Sequence, residues 1–233
     1  MIEEPPLLQI RRRFARPASD VLERLRNTPT GFLVDCMDGR GALDWRIKPV
    51  DAARASFVGS ALPCLCGPGD NLAILGALTV AQLGDVIMAA GDGFEGLAIC
   101  GDRVAGMARN RGASAIVLDG MARDAEGIRA AGLPLFCRGI TPNSCNASGP
   151  GTVGEPVVVG GVTVRPGDVV AGDRDGVVVV PQERLEAVLI RLERVKLAEL
   201  EMDTKVAKGL EHTNGRGETG RGWANQISRL RVA

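Results

Sequence analysis

GDRVAGMARNRGASAIVLDGMARD, Gly101 to Asp124, reads as a helix followed by a strand. Asp102 stands at the helix start with Gly101 just before it. Val104, Ala105, Met107 and Ala108 form a small apolar face, and Gly112 is where the helix stops. Ala115 to Leu118 is a short apolar run of strand type, and Asp119-Gly120 reads as a turn ahead of Arg123-Asp124. A helix N-terminus presents free N–H groups and favours anions. A cation and a carboxylate just past a neighbouring strand end can meet it there. That constellation suits a small anionic ligand and a hard metal ion.

Working outward, strands and helices keep alternating. Ser19-Asp20 caps a short helix through Leu25, and Thr30 to Asp35 begins the globular body. Phe57 to Cys66 is a strand, expected to break at Gly59 and Pro63. Gly67 to Asn71 is a tight loop in which Asp70 or Asn71 caps a helix of small apolar residues reaching Gln82. Gly84-Asp85 introduces the strand Val86 to Ala90. After Asp124, a helix over 125–131 leads to the strand Leu135 to Cys137 and then to a long polar loop, 139–151, of the kind that often carries function. From Val157, valine-rich strands separated by Gly160-Gly161, Pro166-Gly-Asp168 and 172–176 form a meander. Pro181 opens a long helix from Gln182 to Lys208. The reading is α/β: β-α-β units, then a β meander, then a long helix, neither a TIM barrel nor a clean Rossmann fold. Residues 1–30 form an N-terminal arm and helix, 31–208 a single domain, and 209–233 a mobile tail.

Composition narrows the function. The chain has 233 residues and a formal net charge of zero, which gives no electrostatic case for nucleic acid. Tyr is absent and Phe and Trp are few, so base-stacking platforms are not expected. No apolar run reaches the roughly 20 residues of a membrane helix, and the first residues lack a signal peptide's pattern. The expectation is a cytoplasmic protein whose six cysteines are free, buried thiols. The only histidine is His212, and the four lysines are Lys48, Lys196, Lys205 and Lys208. Histidine triads, histidine metal sites and a Schiff-base lysine are therefore hard to build. Acid–base work falls to carboxylates or metal-bound water. Gly91-Asp-Gly93-Phe-Glu-Gly96 follows a strand and fits the dinucleotide fingerprint, with Asp119 further on. Asp92 and Glu95 would crowd a pyrophosphate with negative charge, so the stretch is read as a glycine-rich loop that lets the backbone pass close to a site.

Several stretches lie in register with Gly101–Asp124: Gly69-Asp70-Asn71, Gly84-Asp85-Val86, Arg138 to Pro142, Gly161 to Asp168 and Asp175 to Pro181. Together with a glycine-acid helix start, twenty intervening residues and Arg-Asp, they resemble the RraA-like family. That family includes class II 4-hydroxy-4-methyl-2-oxoglutarate aldolases and the regulator of ribonuclease activity A. The resemblance covers residues 30 to 208 and implies a layered α/β sandwich assembled as a homotrimer or homohexamer. It also implies a divalent cation, Mg²⁺ or Mn²⁺, and a small anionic 2-oxo acid substrate, with no nucleic acid and no membrane. By position, Asp124 would bind the metal, Asp102 would hold metal-bound water, and Arg123 would bind the 2-oxo acid. Gly101 and the backbone N–H groups of Arg103 and Val104 would border the substrate carboxylate. Glu199 would approach from a neighbouring subunit. The chain departs from family aldolases at Arg103, where an apolar residue is common, at Gly91-Asp92, and at Asn143-Ser144-Cys145.

The leading expectation is thus a metal-dependent pyruvate aldolase with oxaloacetate decarboxylase activity. Its rival is a non-catalytic regulator that binds a ribonuclease by protein contact. A quinone methyltransferase would need an S-adenosylmethionine loop in a doubly wound fold, which only the Gly91–Gly96 stretch approaches. The bland alternatives are that Asp102 is an N-cap and that Arg123-Asp124 is a local ion pair.

Overall fold

The computed structural model describes residues 6–211. The chain divides into two compact units, Met1–Val188 and Leu189–Ala233. The first opens with β1 (Leu8–Ile10), α1 (Ser19–Leu25), α2 (Thr30–Cys36) and β2 (Lys48–Pro49). Three parallel β-α-β steps follow: β3 (Phe57–Leu65), α3 (Leu72–Val80), β4 (Asp85–Cys100), α4 (Asp102–Asn110), β5 (Ala115–Ala122), α5 (Ala125–Ala131) and β6 (Leu135–Cys137). Then come β7 (Gly139–Ile140), β8 (Gly151–Val153), β9 (Val157–Val159), β10 (Val162–Val164), β11 (Val169–Gly172) and β12 (Val177–Val180). A 3₁₀ turn over Gln182–Arg184 leads into α6 (Leu185–Ala207), which continues into the second unit.

Ten of these strands form one mixed sheet with the path β1-β8-β3-β4-β5-β6-β2, while β9 and β10 pair separately as a hairpin. The central strands are buried on both faces, and strict alternation sends their side chains to two cores. Ile87, Ala89, Ile116 and Leu118 face one core, which the small apolar residues of α3 and α4 complete. Val86, Met88, Ala90, Ala115 and Val117 face the other, filled by valines of the meander and Phe136. No helix among the described residues is long and apolar enough to cross a membrane.

The layered α/β reading holds, with local corrections. Ser19 is the first residue of α1 rather than its cap. The stretch that opens the globular body, Thr30–Cys36, is helical. β3 runs unbroken through Gly59 and Pro63. Glycine is needed at 59 because a Cβ there would lie 2.3 Å from the Gly84 carbonyl. Asp119-Gly120 is strand, not turn. β4 is longer than expected, and its bulged far arm pairs Phe94 with Gly120, Ala98 with Met121 and Cys100 with Ala122. The Gly91–Gly96 stretch therefore lies inside a strand and opens no helix, which removes the dinucleotide fingerprint. Asp119 is engaged elsewhere: it accepts from Arg138 Nε at 2.5 Å and from the Gly160 N–H at 2.8 Å. No disulfide joins the six cysteines, as expected; five are buried and Cys145 is half-buried. The expectation for the tail beyond 211, His212 included, falls outside the described residues.

Candidate active site

The parallel strands deliver their carboxyl ends, and the helices that follow them, to one edge of the sheet. β4 ends at Cys100, and Gly101 caps α4 in extended conformation. β5 ends at Ala122, and the next two residues are Arg123 and Asp124. The Arg123 N–H donates to the Cys100 carbonyl at 3.0 Å, which fixes the Arg-Asp pair beside the α4 start. Asp124 adopts the left-handed conformation at φ 58° and ψ 48°, and the Ile128 N–H closes the first turn of α5 onto its carbonyl at 2.9 Å. Left-handed backbone on a non-glycine residue costs about 1 kcal/mol or more, and Asp tolerates it better than most. Although Asp124 is an N-cap residue, its carboxylate makes no capping hydrogen bond. It lies 3.2 Å from Arg123 Nε and is about half exposed.

These residues line a cavity of about 220 Å³ together with Gly101, Asp102, Arg103 and Val104, with Asn71, Met107, Cys100 and Cys145 among the remaining walls. The structure thus brings together Gly101, Asp102, Arg103, Val104, Arg123 and Asp124, as the sequence predicts. The helix of nine residues leaves its first N–H groups without helical partners. The Arg103 N–H is already taken by Asp102 Oδ1 at 2.7 Å, so the expectation that it is free for a ligand needs that bond to yield. Asp102 is packed from behind by α5, where only a glycine fits at 127. Burial pushes the Cys100 thiol up, so it is a neutral wall of the cavity. The bland alternatives also hold as structural facts: Asp102 begins a helix and Arg123 pairs with Asp124. Glu199 belongs to the second unit, on α6, and is half-buried.

The polar loop after β7 supplies what the sequence reading did not place. Its residues 143–145 run beside the far arm of β4. The Ala98 N–H donates to the Asn143 carbonyl at 3.0 Å, and Asn143 Nδ2 donates to the Gly96 carbonyl at 3.0 Å. Ser144 Oγ then accepts from Arg123 Nη1 at 2.5 Å, so Arg123 is held from two sides. Asp70 anchors the other end of the loop, accepting from the Ser148 and Gly149 N–H groups while its second oxygen accepts from the Leu72 N–H.

The donors suit a hard, hydrated divalent ion. Asp124 offers an uncapped carboxylate and Asp102 a second one on the same rim, and Mg²⁺ takes only one or two protein carboxylates while keeping several waters. Among the described residues no group of three or more potential ligands of the His, Cys, Asp or Glu type is gathered, so an all-protein cage is not built there.

The α/β sheet carries a helix start and an Arg-Asp pair at one edge, and the comparisons give this arrangement a family. The RraA-like family, Aldolase/RraA, matches residues 28–179, and the chain belongs to it. A protein of Halalkalibacterium halodurans with the provisional name 4-hydroxy-4-methyl-2-oxoglutarate aldolase is 40% identical over 170 residues, covering 73% of this chain and 80% of that protein. The solved structure of Streptomyces coelicolor RraAS2, described as an unusual member of the RNase ES inhibitor RraA family, superposes with a TM-score of 0.73 at 25% identity. That match covers 82% of this chain and 100% of the other. The RNA-processing inhibitor RraA of Thermus thermophilis gives 0.61 at 29% identity, over 66% and 93% of the two chains.

Proposed function

We propose that the chain is a divalent-metal-dependent class II pyruvate aldolase. It cleaves a 4-hydroxy-4-methyl-2-oxoglutarate-like acid to pyruvate and a second oxo acid, and it decarboxylates oxaloacetate. The observation that carries this reading is the convergence of Arg123, Asp124 and the first turn of α4 on one small cavity. The name of the Halalkalibacterium relative supports the reaction class. Asp124 is the residue that would hold Mg²⁺ or Mn²⁺, because its carboxylate is not spent on capping. Such an ion, when bound, supplies Lewis-acid stabilisation of the negative charge that builds on the 2-oxo acid as its C–C bond breaks. Arg123 binds the carboxylate of the 2-oxo acid with its guanidinium fork. The N–H groups at the start of α4 offer that carboxylate further donors. Asp102 accepts the proton of the 4-hydroxyl, directly or through a water that it holds. Retro-aldol cleavage and decarboxylation build the same charge, so one site serves both. Neither a lysine nor a histidine is required. In this reading the protein acts in the cytoplasm as a homotrimer or homohexamer, and Glu199 of the partner subunit approaches the site.

The test is pyruvate release from 4-hydroxy-4-methyl-2-oxoglutarate and from oxaloacetate with Mg²⁺, with Mn²⁺ and with chelator. Metal-dependent turnover abolished by Asp124→Ala is expected. No turnover of either acid at any metal concentration would overturn the reading. A second reading, a regulator that binds a ribonuclease by contact, is favoured by the names of the two RraA structures. Inhibition of a purified RNase E-type enzyme by the Asp124→Ala protein would support it.

A further inference from the structure

Two arginines line the cavity, and they are not equivalent. Arg123 already contacts Asp124 through Nε and Ser144 through Nη1, which leaves Nη2 for a ligand. Arg103 is exposed, and among the described residues its guanidinium takes no hydrogen bond and no ion pair. Elsewhere in the chain Arg16, Arg46 and Arg138 each hold a carboxylate. Arg103 is also the second residue of α4, where the field of the helix disfavours a cation. A cation kept at the wrong helix end, with no internal acid and on the rim of an anion cavity, is placed for a ligand.

Resting on the aldolase reading, we infer that Arg103 is a specificity-determining residue that receives the second, distal carboxylate of a dicarboxylic 2-oxo acid, while Arg123 receives the one beside the oxo group. The cavity, about 220 Å³, suits a five- or six-carbon acid. Guanidinium–carboxylate contacts are among the stronger and more directional ones available, so the distal group is where a neutral analogue is rejected.

The experiment is titration calorimetry in Mg²⁺ with 2-oxoglutarate and 2-oxopentanoate, which have the same carbon chain and differ in the distal carboxylate. The wild-type protein, Arg103→Gln and Arg103→Lys are compared, and the KM for 4-hydroxy-4-methyl-2-oxoglutarate is measured in parallel. The wild type is expected to bind the diacid about tenfold or more tightly than the monoacid, a difference of about 1.4 kcal/mol. Arg103→Gln should erase that ratio while leaving the monoacid affinity within about twofold, and Arg103→Lys should restore part of it. The KM of Arg103→Gln should rise with kcat nearly unchanged. Equal wild-type affinities, or a Gln variant that weakens both acids alike or neither, would overturn the inference and leave the aldolase reading standing. A wild type that binds neither acid and releases no pyruvate would take down both.

Discussion

Two helical glycines near the cavity should respond to the same substitution in opposite ways. Gly127 in α5 faces Asp102: a Cβ built there would lie 2.6 Å from Asp102 Cβ and 2.7 Å from its Oδ2. Carbon atoms in ordinary contact sit at about 3.5–4.0 Å, so either α5 or the Asp102 side chain must shift by roughly 1 Å. Gly106 in α4 has nothing within 4 Å of its built Cβ. In a helix, Gly→Ala contributes about 0.8–1.0 kcal/mol through propensity alone. At Gly106 that gain stands, so Gly106→Ala should raise Tm by about 2–4 °C and leave pyruvate release unchanged. At Gly127 an overpacking cost of about 1–3 kcal/mol opposes it, for a net change between about zero and 2 kcal/mol of destabilisation. The larger effect is on activity, because displacing a catalytic group by about 1 Å can cost on the order of 100-fold in rate. The assays are thermal unfolding by circular dichroism and pyruvate release coupled to NADH oxidation. A Gly127→Ala protein that is as stable as Gly106→Ala and fully active would refute the packing of α5 on Asp102 as the device that sets the site.

Four further outcomes follow from the contacts. Ser144→Ala removes the acceptor of Arg123 Nη1, and it should raise the KM for the 2-oxo acid about five- to tenfold with thermal stability within about 0.5 kcal/mol, as steady-state kinetics and a melting curve would register. Cys145 is the one half-buried thiol, so a thiol-specific chromogenic reagent at pH 8 should label a single cysteine quickly, and saturating pyruvate should slow it because Cys145 lines the cavity. Burial holds the Cys137 thiol up at about 11; since the thiolate is the reactive form, its native-state labelling should stay negligible at pH 8 and grow only as the pH rises toward that value. Arg16 makes a two-pronged contact with the fully buried Asp85 carboxylate, at 2.8 and 2.9 Å, so Arg16→Leu leaves a buried charge without its partner and should cost about 3–5 kcal/mol in urea unfolding.

How far the sequence was legible depended on the range of the contact that decides each element. The stretch Gly101–Asn110 announces itself locally, by an acid after glycine and a narrow apolar face, and it is α4 within a residue at each end. The valine-rich turns of the meander likewise carry their own chemistry, with Gly160 and Gly161 both at positive φ. Asp119-Gly120 looked like a turn because nothing local says otherwise. It is strand because the bulged arm of β4 reaches over to pair with it. The same long-range approach explains Gly91 without any phosphate: a Cβ there would lie 2.8 Å from the Asp119 carbonyl. In the site, Asp102 was legible as a helix start, and Arg123 and Asp124 came into view through their spacing from it in the family pattern. Ser144 was not, because its loop has no periodicity and its partner is 21 residues away in sequence. A polar residue beside Asn143 in an otherwise unexplained loop was the only signal it gave.

The backbone of Asp124 weighs toward chemistry rather than surface contact as the reason this edge is built as it is. A left-handed aspartate whose side chain makes no capping bond is a standing cost, and such residues persist where the surroundings over-determine them. Here they do so from both sides: the Arg123 N–H is tied to β4 and the Asp124 carbonyl closes α5. A surface that acts only by docking would gain as much from an aspartate in relaxed conformation, and it would have no use for a serine that fixes the neighbouring guanidinium. What the strain achieves is to turn one carboxylate toward a small cavity, beside the Arg123 guanidinium and the open end of α4, without spending its oxygens on the helix it begins. Asp124, more than any shape of the outer surface, is thus the residue on which the two functional readings part.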